Sequence, residues 1–369
     1  MKILLEMRPA LDGHAGIPQA SRLLFRALNL LDDMQVEGLI QSSSSVLARA
    51  LPAQPASTAQ ALPVDQQINR LSRVVVSLQR GAKPKLRERL ASALSLTVAP
   101  SAMLLRHLLG GQQELWRFDP THFRDFIWRS LFARTLPYED FEAVTRAGFR
   151  VARVPWTAMH TVALLTHKLG HAVYPRLDTR DFDVMICETP YPATVSRRTR
   201  LVVRYHDAIP VLMPHTISDK AYHQASHYQA LRRNVASGAH FACVSDATRR
   251  DLVSIFPQTE ARSVTIHNMV SHHYFDEPSS AVRVPEIVRA RLHTGVRLRA
   301  NVLRVSLEYS ARPMAYLLMV STIEPRKNHM TLLAAWEQLR TERFPELKLI
   351  VVGMLGWDHK PVVAKFRPW

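Results

Sequence analysis

The chain has 369 residues, of which 47% are hydrophobic and 21% are charged, and its formal net charge is +17. This length allows two domains with hydrophobic cores, and the composition is that of a globular protein rather than a disordered or fibrous one. The two cysteines, Cys187 and Cys243, are far apart and lie in no CxxC motif, which argues against a disulfide framework and a structural zinc site.

The N-terminal region predicts a strand, a turn and a helix. The strand covers residues 2–7, and the helix begins near Pro18, a residue suited to the first turn. Gly16 lies in the turn, where the lack of a side chain lets backbone approach a ligand, although glycine also serves tight turns that bind nothing. One apolar stripe is expected on the helix: Leu23, Leu24, Ala27, Leu28 and Leu31.

Basic segments follow a stretch of low complexity. Residues 41–66 are rich in Ser, Ala, Gln and Pro, which predicts a loop or disorder. Residues 68–80 and 85–109 are predicted to form basic amphipathic helices, and residues 67–107 carry eight Lys or Arg against the single acid Glu88. Docking at an anionic bilayer surface and ordinary packing on the same domain both fit this pattern. No apolar run reaches the about 20 residues of a membrane span, so we expect a soluble or peripheral protein.

Strands and helices alternate from residue 149 onward, after an aromatic-rich segment that we expect to form helices lining a cleft. The predicted strands are FRVARV, FDVMICETP, RLVVRYHD, HFACVS and SVTIHN, with helices at about 218–237 and 246–256. This alternation is typical of a parallel, Rossmann-like sheet. Ligands of open parallel sheets bind beyond the carboxyl ends of the strands, which selects His206, Asp207 and Ser245.

Each selected residue also has a structural interpretation. His206 could be hydrogen-bonded within the core, and Asp207 could form an Asx turn ahead of Pro210. Ser245 most simply caps the helix that follows it.

The histidines His223 and His227 are spaced i, i+4 on a predicted helix, a spacing that can bind a metal ion. No glutamate lies between them and no third ligand is evident. A packed or solvated helix face is therefore predicted, with no metal.

A strand, a polar turn and an amphipathic helix are predicted over residues 315–339. Residues 315–321 are an apolar run, as expected for a strand buried on both faces. The turn places Arg326 and Lys327 where the helix begins. Backbone amides and the helix dipole favour an anion there, and a diphosphate is the expected ligand.

The segment STIEPRKNH, followed by a helix and by LKLIVVGMLGW, resembles the start of the C-terminal, nucleotide-sugar-binding domain of the retaining glycosyltransferases of family 4. These enzymes have the GT-B fold. The segments DGHAGIPQASRLLFRAL, RYHDAIPVLMP, CVSDATRRDL and VTIHNMV fit the same family in order. The chain is most similar to mannosyltransferase-like members that build bacterial surface polysaccharides.

The resemblance implies an α/β protein of GT-B type. Its N-terminal, acceptor-side Rossmann-like domain would cover residues 1–275, with a helical insertion at about 41–148. An Arg-rich connector would follow at 276–314, where residues 287–304 carry five Arg and no acid. Residues 315–369 would form the first strand-helix-strand unit of a partial second Rossmann-like domain.

The implied reaction transfers a hexose from a nucleoside-diphosphate sugar to a polysaccharide or lipid-linked acceptor hydroxyl, with retention of anomeric configuration. GDP-mannose is the donor that the resemblance favours. GT-B enzymes do not generally need a bound metal, so no metal or other cofactor is expected.

The resemblance also assigns the site residues. His206 would lie beside the donor sugar and the reacting centre, and Asp207 would orient His206 or bind acceptor hydroxyls. Gly16 would belong to a glycine loop that faces the interdomain cleft.

On the donor side, Arg326 and Lys327 would neutralise the diphosphate as it leaves, and Glu324 would contact the sugar or hold the cations through an ion pair. Many family members have a second diphosphate-binding Arg where this chain has Ser321, so Arg326 and Lys327 would carry more of the binding.

The family's acidic E-x7-E segment, which holds the donor's sugar and ribose, does not occur in residues 315–369. We therefore expect a truncated transferase. The alternative is an inactive remnant that binds anionic membrane or assembly partners through its basic segments. Binding of nucleic acid by charge alone is a third hypothesis, disfavoured because no nucleic-acid-binding module is recognisable. The expected location is the cytoplasm, peripheral on the inner face of the plasma membrane.

Overall fold

The structure is a computed structural model, and the chain divides into two compact units. The first contains residues 1–215 and 219–271, and the second contains residues 216–218 and 272–369. The domain roles implied by the resemblance stay predictions. The described residues are 1–11, 13, 16–43, 64–78, 100–168, 170–217, 220–271, 273–294 and 313–366.

A mostly parallel sheet forms the first unit. Its strands are β1 (Lys2–Glu6), β2 (Gln35–Gln41), β3 (Leu115–Phe118), β4 (Gly148–Ala152), β5 (Val184–Cys187), β6 (Arg200–Tyr205), β7 (His240–Cys243) and β8 (Ser263–Thr265). Their order in the sheet is β3-β4-β2-β1-β5-β6-β7-β8. All neighbours are parallel except β3 and β4. The predicted Rossmann-like α/β class is thereby confirmed.

Helices lie between most of these strands in sequence. They are α1 (Gly16–Asn29), α2 (Val64–Leu78), α3 (residues 100–108), α4 (Trp156–His167), α5 (Lys220–Ala236) and α6 (Asp246–Ile255). α2 confirms the helix predicted at 68–80, and α3 covers the end of the helix predicted at 85–109. Residues 79–99 and most of the loop predicted at 41–66 lie outside the described residues.

The central strand β1 is buried on both faces. Leu4 belongs to the core on one face of the sheet, whereas Ile3 and Leu5 belong to the core on the other. This alternation follows from the two-residue period of a strand. Since β1, β5 and β6 are neighbours and parallel, their carboxyl ends meet at one edge of the sheet.

Residues 115–118 form a strand, which corrects the prediction of helices throughout this region. β3 pairs antiparallel with β4, so that Trp116 lies opposite Val151 and Phe118 lies opposite Phe149. Phe118 is fully buried. The aromatic-rich sequence is compatible with either element, and pairing with β4 decides in favour of the strand.

Two aromatic residues after β3 pack in the core, and the predicted lining of a cleft by this segment stays a prediction. Trp128 and Phe132 lie in short helical turns and are buried. Phe25 of α1 lies 5.3 Å from Phe132 and 5.6 Å from Phe149 between ring centroids. The predicted stripe of α1 is partly wrong, because Phe25 is buried and Leu31 is 45% exposed.

Arg22 of α1 is fully buried and was not predicted to have a role. Its guanidinium donates hydrogen bonds to the carbonyl oxygens of Leu131 at 2.6 Å, Ala10 at 2.7 Å and Gly13 at 3.0 Å. A fourth bond reaches Thr135 Oγ1 at 2.8 Å. Arg22 therefore ties α1 to the segment before it and to the helical turns after β3.

The second unit contains a helix, then a strand-helix-strand-helix sequence. Its elements are α7 (Arg283–Thr294), β9 (Tyr316–Val320), α8 (His329–Glu342), β10 (Lys348–Val352) and α9 (His359–Phe366). β9 and β10 are parallel. The strand, turn and helix predicted at 315–339 are confirmed, whereas α7 was not predicted.

One face of the second sheet is exposed, which corrects the prediction that residues 315–321 are buried on both faces. Leu333 and Trp336 of α8 pack on Leu317 at the covered face. On the other face, Leu318 is 56% and Val320 is 71% exposed. The run is apolar on both faces, but the described helices pack against only one of them.

Gly353 and Gly356 permit close contact between the loops that follow β9 and β10. A Cβ on Gly353 would lie 1.7 Å from the carbonyl oxygen of Ser321, and one on Gly356 would lie 2.5 Å from Thr322 Cγ2. The amide of Gly356 donates to the carbonyl oxygen of Ile323 at 3.0 Å. The loops are therefore joined beyond the strands.

Cys187 and Cys243 are buried free thiols, and burial raises the pKa of Cys243 to about 11.

Within the ranges described above, no helix is both long enough and apolar enough to cross a bilayer.

Candidate functional site

Polar residues converge at the carboxyl ends of β1, β5 and β6. Glu6 ends β1, Glu188 directly follows β5, and His206 directly follows β6. Glu6 and Glu188 are fully buried, and the His206 side chain is 11% exposed. We call these three residues, together with Arg8 and Arg204, the carboxylate cluster.

Glu6 anchors one side of the carboxylate cluster. Its Oε1 atom lies 2.7 Å from Arg8 Nε, and its Oε2 atom accepts the backbone amide of Glu188 at 3.1 Å. Burial raises the pKa of Glu6, while the charge and hydrogen bond of Arg8 oppose that rise. The ion pair thus compensates part of the cost of burying this carboxyl group.

Glu188 connects the cluster to His206. Its Oε2 atom lies 3.1 Å from His206 Nε2 and 3.5 Å from Arg204 Nε. Arg204 also donates to Asn268 Oδ1 at 2.6 Å. The carboxylate therefore fixes the imidazole and compensates a buried guanidinium.

Sequence reasoning missed Glu188. The signal was available, because Glu188 follows the strand in FDVMICETP and the rule that selects His206 applies equally to it. Glu188 Oε1 has no hydrogen-bond partner among the described residues. One carboxylate oxygen is therefore left to accept a further hydrogen bond.

Asp207 and Ser245 have the structural roles that the sequence allowed. Asp207 Oδ1 accepts the backbone amide of Ile209 at 3.1 Å, which is an Asx turn ahead of Pro210. Ser245 Oγ accepts the amide of Thr248 at 3.1 Å and caps α6. Asp207 stays exposed beside His206, and its ligand role stays a prediction.

Gly16 is the first residue of α1 and is exposed. A Cβ added there would meet nothing within 4 Å. The protein's own packing does not require glycine at this position, and the predicted approach to a ligand stays a prediction.

Arg8 also links the carboxylate cluster to α4. Its guanidinium carbon lies 4.3 Å from the Trp156 ring centroid, a cation-π contact. The Trp156 ring packs edge-on against His160, with 4.1 Å between centroids. Neither ring nitrogen of His160 has a hydrogen-bond partner in the described part of the chain, and burial lowers its pKa to about 3.

His227 is partly buried and lies beside Tyr205. Its Nε2 lies 3.3 Å from the Tyr205 hydroxyl. Burial and the charge of His223 lower its pKa to about 4. Across the described ranges, no three His, Cys, Asp or Glu side chains are grouped so that they could hold a metal ion.

The second unit places Glu324, Arg326 and Lys327 together before α8. Arg326 Nε lies 2.5 Å from Glu324 Oε1, and the Glu324 side chain is 7% exposed. A short 3-10 turn covers Pro325–Lys327. The ion pair predicted for Glu324 is therefore present, and it leaves the Arg326 guanidinium partly exposed.

The start of α8 lacks a side-chain cap. Asn328 is left-handed, with φ 58°, and its side chain does not cap the helix. Its Oδ1 atom instead accepts the Thr331 hydroxyl at 2.7 Å. His329 is fully buried, and its Nε2 lies 3.3 Å from Ser321 Oγ. First-turn amides and two cations therefore lie at the same end of the helix.

The predicted site residues fall into two groups. Gly16, His206 and Asp207 belong to the first unit, and Glu324, Arg326 and Lys327 belong to the second. Their roles as site residues stay predictions. Sequence reasoning missed Glu188, which contacts His206, and missed Glu6 and Arg204, which contact Glu188.

Comparison with known proteins found no match: no family model, no curated protein and no solved structure is similar to this chain. The geometry of these two groups, with the sequence motifs, is therefore the basis for a functional proposal.

Proposed function

We propose that the chain is a retaining glycosyltransferase of GT-B type. It transfers a hexose from a nucleoside-diphosphate sugar to a hydroxyl of a polysaccharide or lipid-linked acceptor. The observation that carries this proposal is the uncapped start of α8 beside Arg326 and Lys327. Amides and cations at a helix start suit a diphosphate better than any neutral ligand.

On the donor side, the chemistry needs stabilisation of a leaving group. When the bond from the anomeric carbon to the diphosphate oxygen breaks, negative charge grows on the diphosphate. Arg326 and Lys327 would stabilise that charge, and the helix start would add to it. The Glu324 ion pair would hold Arg326 in place for this role.

On the acceptor side, His206 would act beside the donor sugar, oriented by the Glu188 carboxylate 3.1 Å away. Asp207, exposed next to it, would bind an acceptor hydroxyl. The start of α1 at Gly16, where no side chain intrudes, would approach the ligand. GDP-mannose is the donor proposed, because the motifs are most similar to mannosyltransferase-like members.

Calorimetry with the purified 369-residue chain tests the proposal. GDP-mannose and UDP-sugars are titrated, and micromolar binding of one of them is expected. Lys327→Ala should weaken that binding about tenfold, since one charge-assisted contact to phosphate is lost. Lys365→Ala, an exposed lysine of α9, is the matched control and should have no effect.

The absence of donor binding by the folded chain would count against the proposal. Equal binding by the wild-type and Lys327→Ala proteins would also count against it. Product analysis with a bound donor then tests transfer and retention separately from binding.

A second proposal is non-catalytic binding of an anionic membrane or assembly partner, peripheral on the inner face of the plasma membrane. The observation that favours it is on α3, where Leu105 is 59% and Leu108 is 71% exposed close to Arg106. Flotation with anionic vesicles, suppressed by salt, would support it. Equal binding to zwitterionic and anionic vesicles would show that electrostatic attraction does not contribute to membrane binding.

A further inference from the structure

A partly open cavity of about 270 Å³ lies in the first unit between α3, β3, β4 and α4. Its volume is that of about nine water molecules in the liquid. None of its lining residues belongs to the carboxylate cluster. The apolar lining residues are Ala102, Met103, Trp116, Ala152, Val154, Met159 and Leu177.

Two arginines share this cavity. Arg106 and Arg153 both line it, as does Glu114, which lies 3.4 Å from Arg106. The Arg153 guanidinium carbon is 5.7 Å from the Trp116 ring centroid. Burial, followed by the charge of Arg106, lowers the pKa of Arg153, and Glu114 only partly offsets this. Among the described lining residues, two cations face one acid and are partly desolvated, which favours an anion.

Apolar side chains adjoin the cavity on α3. Leu105 follows Ala102 by three residues, so the two lie on neighbouring positions of the helix surface. Leu105 is 59% exposed and Leu109, just after the helix, is 79% exposed. The α3 segment thus carries exposed apolar side chains as well as the half-exposed Arg106 that lines the cavity.

We propose that this cavity binds a phosphate ester that carries an alkyl chain. The phosphate lies between Arg106 and Arg153, and the chain packs against Met103, Met159 and Leu177. The planar guanidinium fork matches phosphate oxygens in pairs, which favours phosphate over a single-point anion. An inorganic phosphate ion would contact the arginines but not the apolar side chains that line the rest of the cavity.

This inference does not rest on the proposed transferase activity, because it uses no residue of the donor or acceptor groups. A chain that failed to bind GDP-mannose could still bind an alkyl phosphate, and the reverse also holds. The two failures are therefore distinguishable by the ligand used.

Isothermal titration calorimetry of the whole chain with octyl phosphate, kept below its micelle concentration, is the test. Binding is expected to be at least tenfold tighter than that of inorganic phosphate. From butyl to hexyl phosphate the affinity should rise about fifteenfold, because each of the two added methylenes, once buried, contributes roughly a fourfold gain. Octanoate should bind at least several-fold more weakly than octyl phosphate.

Variants locate the binding. Arg106→Gln should lower the affinity for octyl phosphate about tenfold, through loss of a charge-assisted contact. Ala102→Phe, at an exposed helix position, should block the cavity without disturbing the core. Arg129→Gln is the matched control, because Arg129 is 75% exposed and, like Arg106, is paired with an acid.

Octyl phosphate binding that both Arg106→Gln and Ala102→Phe weaken supports the site. No binding, equal binding by these variants and the wild type, or tighter binding of octanoate overturns it.

Flotation with phosphatidic acid vesicles then identifies the source of the ester. If the vesicles capture the wild-type protein but not the Ala102→Phe variant, the ester is a membrane lipid. Binding of octyl phosphate without capture points to a soluble phosphate ester.

Discussion

Glu188 is shared by His206 and Arg204 at the edge of the first sheet, 3.1 Å and 3.5 Å away. Removing it leaves a buried guanidinium without its carboxylate. Glu188→Ala should therefore lower the free energy of unfolding by about 3 kcal/mol, measured by urea denaturation. A double-mutant cycle with Arg204→Met should show a coupling energy of at least about 1 kcal/mol. Additive effects would mean that the two residues do not interact.

Arg22 donates four hydrogen bonds to described residues, three of them to backbone carbonyl oxygens. Arg22→Met keeps most of the side-chain volume but leaves these carbonyls unsatisfied. We expect a loss of roughly 3 kcal/mol or more in the free energy of unfolding. Arg129→Met, at a 75% exposed position, should change it by less than about 0.5 kcal/mol. Similar losses in both variants would contradict the structural role of Arg22.

His160 and His227 predict a loss of stability in acid. Burial lowers their pKa values to about 3 and about 4, whereas the unfolded chain protonates them near pH 6.5. Below that pH the unfolded state binds more protons, so the free energy of unfolding falls by about 1.4 kcal/mol per pH unit for each group. Glu6, whose pKa is raised by burial, opposes part of this loss at lower pH.

A His160→Phe variant isolates this effect. Between pH 6 and pH 5 its urea midpoint should depend less steeply on pH than that of the wild type. An unchanged slope in both His160→Phe and His227→Phe would show that these groups do not control acid stability.

Single-residue roles were the hardest to predict from the sequence. His206 was selected because it follows a strand inside a recognisable motif, and the cap formed by Ser245 was predicted because capping depends only on local sequence. Glu188 and Arg22 depend on residues that are distant in sequence. Glu188 meets residues of two neighbouring strands, and Arg22 binds the carbonyl of Leu131 across 109 positions. The place of Glu188 after a predicted strand was a usable signal for its position, but a single sequence carries no local signal for its partners or for those of Arg22.

Alanine substitutions at Gly353 and Gly16 form a matched pair, because the two glycines differ in the space available for a side chain. Gly353→Ala would place a Cβ 1.7 Å from the Ser321 carbonyl oxygen, so the loops after β9 and β10 must separate. We expect faster amide exchange in β9 and β10 and a free-energy cost of more than about 2 kcal/mol in the second unit. Gly16→Ala meets nothing within 4 Å and should be neutral or stabilise α1 by up to about 1 kcal/mol.

This comparison also separates two explanations for Gly16. If Gly16→Ala preserves stability but weakens sugar-nucleotide binding, the glycine serves the ligand. If it destabilises the protein, the glycine serves the fold.

The helices and strands were predicted well where the spacing of their apolar residues was clear. The strands from residue 148 onward and α5, α6 and α8 follow the predicted positions closely. The prediction failed at β3, because its short aromatic run becomes a strand only by pairing with β4. It failed again on the burial of β9, since an apolar run shows what a face can bury but not what covers it.

At the scale of the whole molecule, the exposed apolar face of the second sheet predicts self-association. Leu318, Val320 and Val352 are 49 to 71% exposed on neighbouring strands. Leu318→Lys should raise the protein concentration at which light scattering detects aggregates and should lower binding of a hydrophobic dye. The free energy of unfolding should change by less than about 0.5 kcal/mol. Unchanged aggregation would mean that this face is protected.

The net charge of +17 acts over the same scale. It raises the local concentration of anions near the protein and speeds their association in a salt-dependent manner. Both proposed ligands, a nucleoside diphosphate and an alkyl phosphate, are anions. Their specific contacts are local, but their arrival should slow as ionic strength rises.

The position of β1 has a consequence for synthesis of the chain. β1 lies between β2 and β5, and Ile3 pairs with Val184. A ribosome adding about 5–20 residues per second needs about ten to forty seconds to make the residues that separate them. During this time one edge of an apolar strand has no neighbour. β1 therefore completes its pairing only after β5 has been made, and its apolar edge on that side stays open until then.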